Sequence, residues 1–285
     1  MEIIVGKTAG FCYGVKRAVD GAKQELKKYN EIYCLGELIH NKQAIEELRK
    51  KGIKFINKIE DSKGTTIIRS HGEPKETYQK AERLGITLKD YTCPNVSKIH
   101  KIVEQYKNDG FYICLCGTPN HPENIGTINH AGENSTIIEK EDEIPEAIKK
   151  IKESKINKVI LVSQTTYDNE KFLKIQQILK ENLSQEIEFN VKNTICKATQ
   201  NRQKETEKIA KEVDYMIIIG GKNSSNTKKL YEIANKKGKV IWIETSEELN
   251  IEELSKYNKI GIMAGASTPN TSIENVVNLL KNVKY

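Results

Sequence analysis

The chain has 285 residues, 37% of them hydrophobic and 30% charged, with a formal charge of +7. That length is more than one core usually fills, the composition is that of an ordinary folded protein, and no apolar run approaches the ~20 residues a membrane span needs. Only five of the 46 basic residues are arginine and the lysines are dispersed among glutamates, so the charge reads as a solvated surface that suits a small anionic substrate better than nucleic acid.

Met1 to Gly6 lack a basic n-region, so no signal peptide is expected and the chain is read as cytoplasmic. After Cys12, the residues Val15, Ala18, Val19, Ala22 and Leu26 follow the spacing of an amphipathic helix. An apolar strand at 32–35 leads to Gly36 and His40, and a second strand at 66–68 leads to Arg69-Ser70-His71-Gly72. The order then returns. Cys93 opens a helix through Val96, Ile99, Val103 and Tyr106; a strand at 111–115 ends in Gly117 and His121-Pro122-Glu123; and a strand at 159–162 ends in Ser163-Gln164-Thr165-Thr166. It returns once more after Cys196, with a helix through Thr206, Ile209, Ala210 and Val213. A strand at 215–219 then runs into Gly220 and Ser224-Ser225-Asn226, and one at 260–263 precedes Ser267.

The spacing is regular. Gly36, Gly117 and Gly220 each lie 24 residues beyond Cys12, Cys93 and Cys196, and His40, His121 and Ser224 each lie 28 beyond. Identical offsets in three segments indicate a threefold repeat, divided here as 1–92, 93–194 and 195–285. Buried strand runs alternating with helices predict an α/β fold of mainly parallel sheets covered on both faces, and in such sheets ligands gather at the carboxyl ends of the strands. Packed about a pseudo-threefold axis, the six strand ends would face one central chamber with histidines, hydroxyls, amides and a carboxylate.

Six cysteines in a chain expected to be cytoplasmic are read as reduced. Cys34, Cys114 and Cys116 fall inside apolar strands, where cysteine behaves as a small hydrophobe. Cys12, Cys93 and Cys196 sit at helix starts, which favour the thiolate that binds metal, and Pro94 suits the first helical position after Cys93. Spacing alone leaves open a shared iron–sulfur cluster, capping or core cysteines kept through duplication, and zinc, although the CxxC pairing of structural zinc is missing.

The motifs Gly10-Phe11-Cys12-Tyr13-Gly14-Val15 with Arg17-Ala18, Arg69-Ser70-His71-Gly72, Thr92-Cys93-Pro94, His121-Pro122-Glu123 with Gly126-Thr127, Ser163-Gln164-Thr165-Thr166, Asn193-Thr194-Ile195-Cys196 and Lys222-Asn223-Ser224-Ser225-Asn226 together resemble the 4-hydroxy-3-methylbut-2-enyl diphosphate reductase (LytB/IspH) family, in order along the whole chain. Asn124 departs from the pattern, standing where an apolar residue is commoner. The resemblance implies a trefoil of three α/β domains around a cavity. In it, Cys12, Cys93 and Cys196 would hold one 4Fe–4S cluster with an open fourth iron, or a 3Fe–4S form if that iron is lost. It implies two-electron removal of the hydroxyl of an allylic diphosphate, with electrons from a donor such as ferredoxin or flavodoxin. His40, His71, His121, Ser224, Ser225, Asn226 and Ser267 would bind the diphosphate, with Glu123 and Thr165, beside His121, handling the proton. Glu123 is expected to have its pKa raised by burial next to other anions. His100 and His130 lie outside the repeat positions and are read as structural or surface. A non-redox dehydratase and an iron or oxygen sensor are the competing readings; a dehydratase would need no reductant, and a sensor would consume no substrate.

Overall fold

The computed structural model describes residues 1–282, which form twelve strands and eleven helices. By their contacts they fall into two compact units, one made of residues 17–38 and 51–196, the other of 1–16, 39–50 and the chain from Lys197 on.

The chain begins with β1 (Glu2–Val5) and α1 (Tyr13–Glu25). The first sheet follows from β2 (Ile32–Leu35), β3 (Ile53–Ile56), β4 (Thr65–Ile68) and β5 (Leu88–Asp90), with α2 (Lys42–Lys50) and α3 (Lys75–Arg83) between them in sequence. The second contains β6 (Tyr112–Cys116), β7 (Ser135–Ile138), β8 (Lys158–Ser163) and β9 (Glu188–Val191), with α4 (Pro94–Asn108), α5 (Pro122–Ala131), α6 (Ile144–Ser154) and α7 (Asn169–Asn182). The third has β10 (Tyr215–Ile219), β11 (Lys239–Ile243) and β12 (Lys259–Ala264), with α8 (Lys197–Ala210), α9 (Ser225–Asn235), α10 (Ile251–Leu254) and α11 (Asn270–Lys281).

The three sheets share one plan. Their orders are β3-β2-β4-β5, β7-β6-β8-β9 and β11-β10-β12-β1, and every pairing is parallel. The fourth place of the third sheet is filled from the start of the chain: Glu2 aligns with Lys259 and Val5 with Ile262. β1 thus stands where β5 and β9 stand, and each of these three strands is the last before a helix-opening cysteine. Residues 2–5, which the repeat reading grouped with the first segment, pair in the sheet of the third.

The six inner strands, β2, β4, β6, β8, β10 and β12, are almost wholly buried, while the outer ones are half-exposed. Side chains alternate across a strand, so a strand covered on both faces needs apolar residues at every position. The second sheet shows this. Tyr112, Cys114, Val159 and Leu161 pack on one face with Phe172, Ile175 and Leu179 of α7; Ile113, Leu115, Ile160 and Val162 pack on the other with Ile99 and Val103 of α4. In the third sheet Ile217, Ile260 and Ile262 face Val276 and Leu280 of α11, while Met216, Ile218 and Met263 face Ile209 of α8 and Leu230 of α9. At about 1.5–3 kcal/mol per buried aliphatic side chain, these two-sided layers fix the strand ends that carry the polar residues. Among the described residues no helix is long and apolar enough to cross a membrane.

Candidate functional site

Each helix-opening cysteine is tied by its backbone in the same way. The Cys93 amide donates to Ser70 O at 2.9 Å, the Cys196 amide to Thr165 O at 3.0 Å and the Cys12 amide to Ala266 O at 3.1 Å. Each acceptor lies two residues past the end of β4, β8 or β12. Each tie therefore places a cysteine beside the inner strand end of its own sheet. Cys93 is the N-cap of α4, with Pro94 at its first position. All three of these cysteines are partly exposed, whereas Cys34, Cys114 and Cys116 are fully buried. Burial pushes the Cys114 thiol up to about 12 and those of Cys34 and Cys116 well above their usual range, so these three are inert packing residues.

In the unit of the first two sheets, Glu123 lies on the first turn of α5 and is 2% exposed. Its two carboxylate oxygens accept from one residue, Oε1 from the Thr165 amide and Oε2 from the Thr165 hydroxyl, both at 2.6 Å. Burial raises its pKa to about 7, and the two Thr165 bonds oppose that rise. The carboxyl is thus poised to hold and release a proton near neutral pH. His121 caps the same helix, its Nδ1 accepting from the Glu123 amide at 3.2 Å. That bond fixes the proton, when the ring is neutral, on Nε2. The His71 ring meets the His121 ring edge-on, with centroids 5.6 Å apart. His71, His121, Glu123 and Thr165 come from three strand ends, after β4, β6 and β8, and neighbour one another. Cys196 belongs to the same neighbourhood through its tie to Thr165.

Asn124, the departure from the family pattern, is fully buried, and its Nδ2 donates to Thr118 O at 2.8 Å and Gln164 Oε1 at 2.9 Å. It spans the loops after β6 and β8, and Gly117 has no room for a Cβ because one would stand 2.3 Å from Asn124.

In the other unit, Ser224 caps α9, its hydroxyl accepting from the Thr227 amide at 3.3 Å. Ser267 donates to His40 O at 2.8 Å, and a Cβ on Gly221 would come within 2.9 Å of that carbonyl oxygen, so the segments carrying His40, Ser224 and Ser267 are packed backbone to backbone. Asn226, on the first turn of α9, is 4% exposed, yet neither polar atom of its amide has a hydrogen-bond partner among the described residues. A buried amide left so costs about 1–3 kcal/mol, which a ligand at this helix N-terminus would recover. Ser225 follows Ser224 as the first residue of the helix.

Among the described residues no three His, Cys, Asp or Glu side chains are grouped as metal ligands. A family model described as LytB protein matches residues 3–281. The chain belongs to the LytB family. It is 45% identical, over 99% of its length and all of the relative's, to a 4-hydroxy-3-methylbut-2-enyl diphosphate reductase of Clostridioides difficile, and 40% identical to one of Aquifex aeolicus, covering 99% and 97%. A solved structure of the E-1-hydroxy-2-methyl-but-2-enyl-4-diphosphate reductase from Plasmodium falciparum superimposes with a TM-score of 0.89 at 31% identity, covering 99% of this chain and 88% of that one. A solved (E)-4-hydroxy-3-methyl-but-2-enyl diphosphate reductase, described as the terminal enzyme of the non-mevalonate pathway, gives 0.73 at 39% identity, with 99% and 100% covered.

In this LytB chain the structure adds the cysteine ties and shows His100 and His130, read from sequence as structural or surface, to be structural. The cysteine ties are backbone bonds and carry no side-chain signal. His100 and His130 are buried and stacked 4.1 Å apart, with His130 Nδ1 2.6 Å from Glu104 Oε1, a core pair wedged between α4 and α5. Burial lowers the His100 pKa to about 4, so it stays neutral. Its ring explains Gly72, whose φ of +74° and 2.8 Å clearance to His100 Cε1 exclude a side chain.

Proposed function

We infer that this chain catalyses the two-electron reductive dehydroxylation of 4-hydroxy-3-methylbut-2-enyl diphosphate to isopentenyl and dimethylallyl diphosphate, the last step of the non-mevalonate isoprenoid pathway. Beyond family membership, the observation that carries this reading is the buried Glu123 carboxyl, poised near pH 7 between two Thr165 donors. Loss of a hydroxyl as water consumes a proton at the departing oxygen, and the reaction as a whole takes up two electrons and two protons. Glu123 is the donor to that oxygen. Thr165 holds the carboxyl and, through its hydroxyl, passes the proton on.

Cys12, Cys93 and Cys196 ligate one 4Fe–4S cluster that leaves its fourth iron open and becomes a 3Fe–4S cluster if that iron is lost. The donor set supports this: three partly exposed thiols on equivalent backbone ties, distinct from three sealed ones. When bound, the cluster supplies the electrons, drawn from a donor such as ferredoxin or flavodoxin, and a Lewis acid for the C–O bond. His40, Ser224, Ser225, Asn226 and Ser267, together with His71 and His121, bind the diphosphate. The unpartnered Asn226 amide and the N-terminus of α9 favour an anion there, and a nearby diphosphate favours protonated histidines. The chain is read as three α/β repeats, 1–92, 93–194 and 195–285, working in the cytoplasm.

Anaerobic protein is expected to be brown and to contain iron and sulfide. It should consume the allylic diphosphate only with a reductant, and lose iron in each of Cys12→Ser, Cys93→Ser and Cys196→Ser but not in Cys114→Ser. Turnover without a reductant, or full iron content in any of the first three variants, overturns the reading.

A further inference from the structure

The three helices opened by the ligand cysteines share one more feature. On the first or second turn, each carries a side chain that reaches the next cysteine or the loop in front of it. Arg17, five residues after Cys12, donates from Nη1 to Thr92 O at 3.2 Å, with Nη2 3.5 Å from Asp90 O, on the segment that ends in Cys93. Asn95, two residues after Cys93, donates from Nδ2 to Cys196 Sγ itself at 3.1 Å. Arg202, six residues after Cys196, donates from Nε to Thr8 O at 2.8 Å and from Nη2 to Gly10 O at 2.9 Å, on the loop that ends in Cys12. The sequence of contacts is cyclic: helix after Cys12 to Cys93, helix after Cys93 to Cys196, helix after Cys196 to Cys12.

We propose that Arg17, Asn95 and Arg202 are positioning residues for the metal centre, each fixing the next ligand cysteine in the cycle, and that Asn95 also sets the reduction potential through its bond to the Cys196 sulfur. This rests on the ligand assignment made above. The Cys12 loop shows how far the sequence has gone to hold one thiol. Arg202 is 3% exposed, and a buried guanidinium needs several acceptors to offset its lost hydration. Two of them are the backbone carbonyls of Thr8 and Gly10. One helical turn on, Glu205 takes the opposite role, accepting from the Lys7 amide at 2.8 Å, the Thr8 amide at 2.8 Å and the Thr8 hydroxyl at 2.5 Å. A short irregular loop is thus held by a cation on its carbonyls and an anion on its amides. Such a loop has little freedom to swing its cysteine. Gly10, with φ of +96° and a Cβ clearance of 2.8 Å to Asn270, allows the close approach.

Asn95 acts differently, because its partner is the sulfur. An amide N–H bonded to a ligand thiolate withdraws electron density from it and stabilises the reduced cluster, so removing the bond moves the potential down. Asn95 is solvent-facing, and replacing it leaves the core of α4, formed by Val96, Ile99 and Val103, as it is.

The test uses the anaerobically prepared holoenzyme and reads three quantities: iron and sulfide per chain, the midpoint potential of the cluster, and the rate at which a chelator strips iron. Asn95→Leu is expected to keep full iron and shift the potential to more negative values. Arg17→Met and Arg202→Met are expected to lose iron to the chelator about tenfold faster, the lower end of what outer-shell partners of metal ligands usually cost. Arg202→Lys, which restores one donor, should recover part of that loss. Should Arg202→Met fail to fold, Arg202→Lys and Arg17→Met still decide the matter. A parental potential in Asn95→Leu together with parental iron retention in both arginine variants overturns the proposal alone, provided Cys12→Ser, Cys93→Ser and Cys196→Ser each lose iron. Full iron in any of those three variants overturns the ligand assignment and this proposal with it.

Discussion

Thr165→Val offers a test of Glu123 in which the sign is fixed before the experiment. Valine matches threonine in shape and keeps the backbone amide, so one of the two bonds to the carboxylate survives: Thr165 N to Oε1 stays and Thr165 Oγ1 to Oε2 goes. The lost bond is short and goes to the ionised carboxylate, a class worth about 1.5–3 kcal/mol. Each pKa unit corresponds to about 1.4 kcal/mol, so the Glu123 pKa should rise by about one to two units from its parental value of about 7. An acid catalyst works only while protonated. The parental kcat/KM should therefore fall as pH rises through about 7, and in Thr165→Val that alkaline limb should move to higher pH. The assay is kcat/KM for substrate consumption under reducing, oxygen-free conditions across pH, with Glu123→Gln as the control that shows which limbs belong to other groups. The amplitude will drop in both variants; the position of the limb is the quantity to read. A limb that stays in place, or moves to lower pH, refutes the assignment of Glu123 as a burial-tuned acid held by Thr165.

Glu123→Gln should keep the cluster and substrate affinity while losing about 10²–10⁴ in turnover, the usual contribution of a positioned acid. Its stability has a definite sign as well. Because burial raises the folded pKa above the unfolded 4.5, the favourable contribution of the protonated carboxyl is complete below about pH 4.5 and is lost as pH rises through about 7. The urea midpoint of the parent should accordingly fall relative to Glu123→Gln between those values, and parallel midpoints would refute the shift. Asn226→Ala should leave the unliganded protein as stable or more so, since its amide has no partner to lose, yet weaken diphosphate binding at least tenfold; calorimetric titration with inorganic diphosphate reads both the affinity and its loss. Gly72→Ala should destabilise by about 2 kcal/mol or more, combining a left-handed backbone with a methyl pushed against His100, and a thermal midpoint equal to the parent's would contradict the packing described.

Much of this architecture could be read from residue order. The inner strands announce themselves because both faces are covered, so apolar residues are needed at every position, and all six were anticipated to within a residue or two. The outer strands did not, since residues such as Glu2 or Lys239 in half-exposed strands leave no continuous apolar run. The sorting of six cysteines into two sets followed from position and agrees with the burial of Cys34, Cys114 and Cys116. Glu123 is legible as a buried acid with a raised pKa, and the structure agrees on the burial. Burial raises its pKa, and the two Thr165 bonds oppose that rise. What sequence could not show is contact across long separations. Arg202 reaches Thr8 across 194 residues, and neither residue type nor spacing marks the pair.

The placement of β1 bears on the order in which the protein can be completed during synthesis. Residues 2–5 are made long before their hydrogen-bonding partner, β12, which spans Lys259–Ala264, and the tie of Cys12 to Ala266 lies further on still. The sheets that hold Cys93 and Cys196 can fold while the chain is being made; the loop bearing Cys12 must wait for Arg202 and Glu205 of α8 and then for β12. A nascent chain that has not yet made α8 and β12 therefore lacks the contacts that fix the Cys12 thiol.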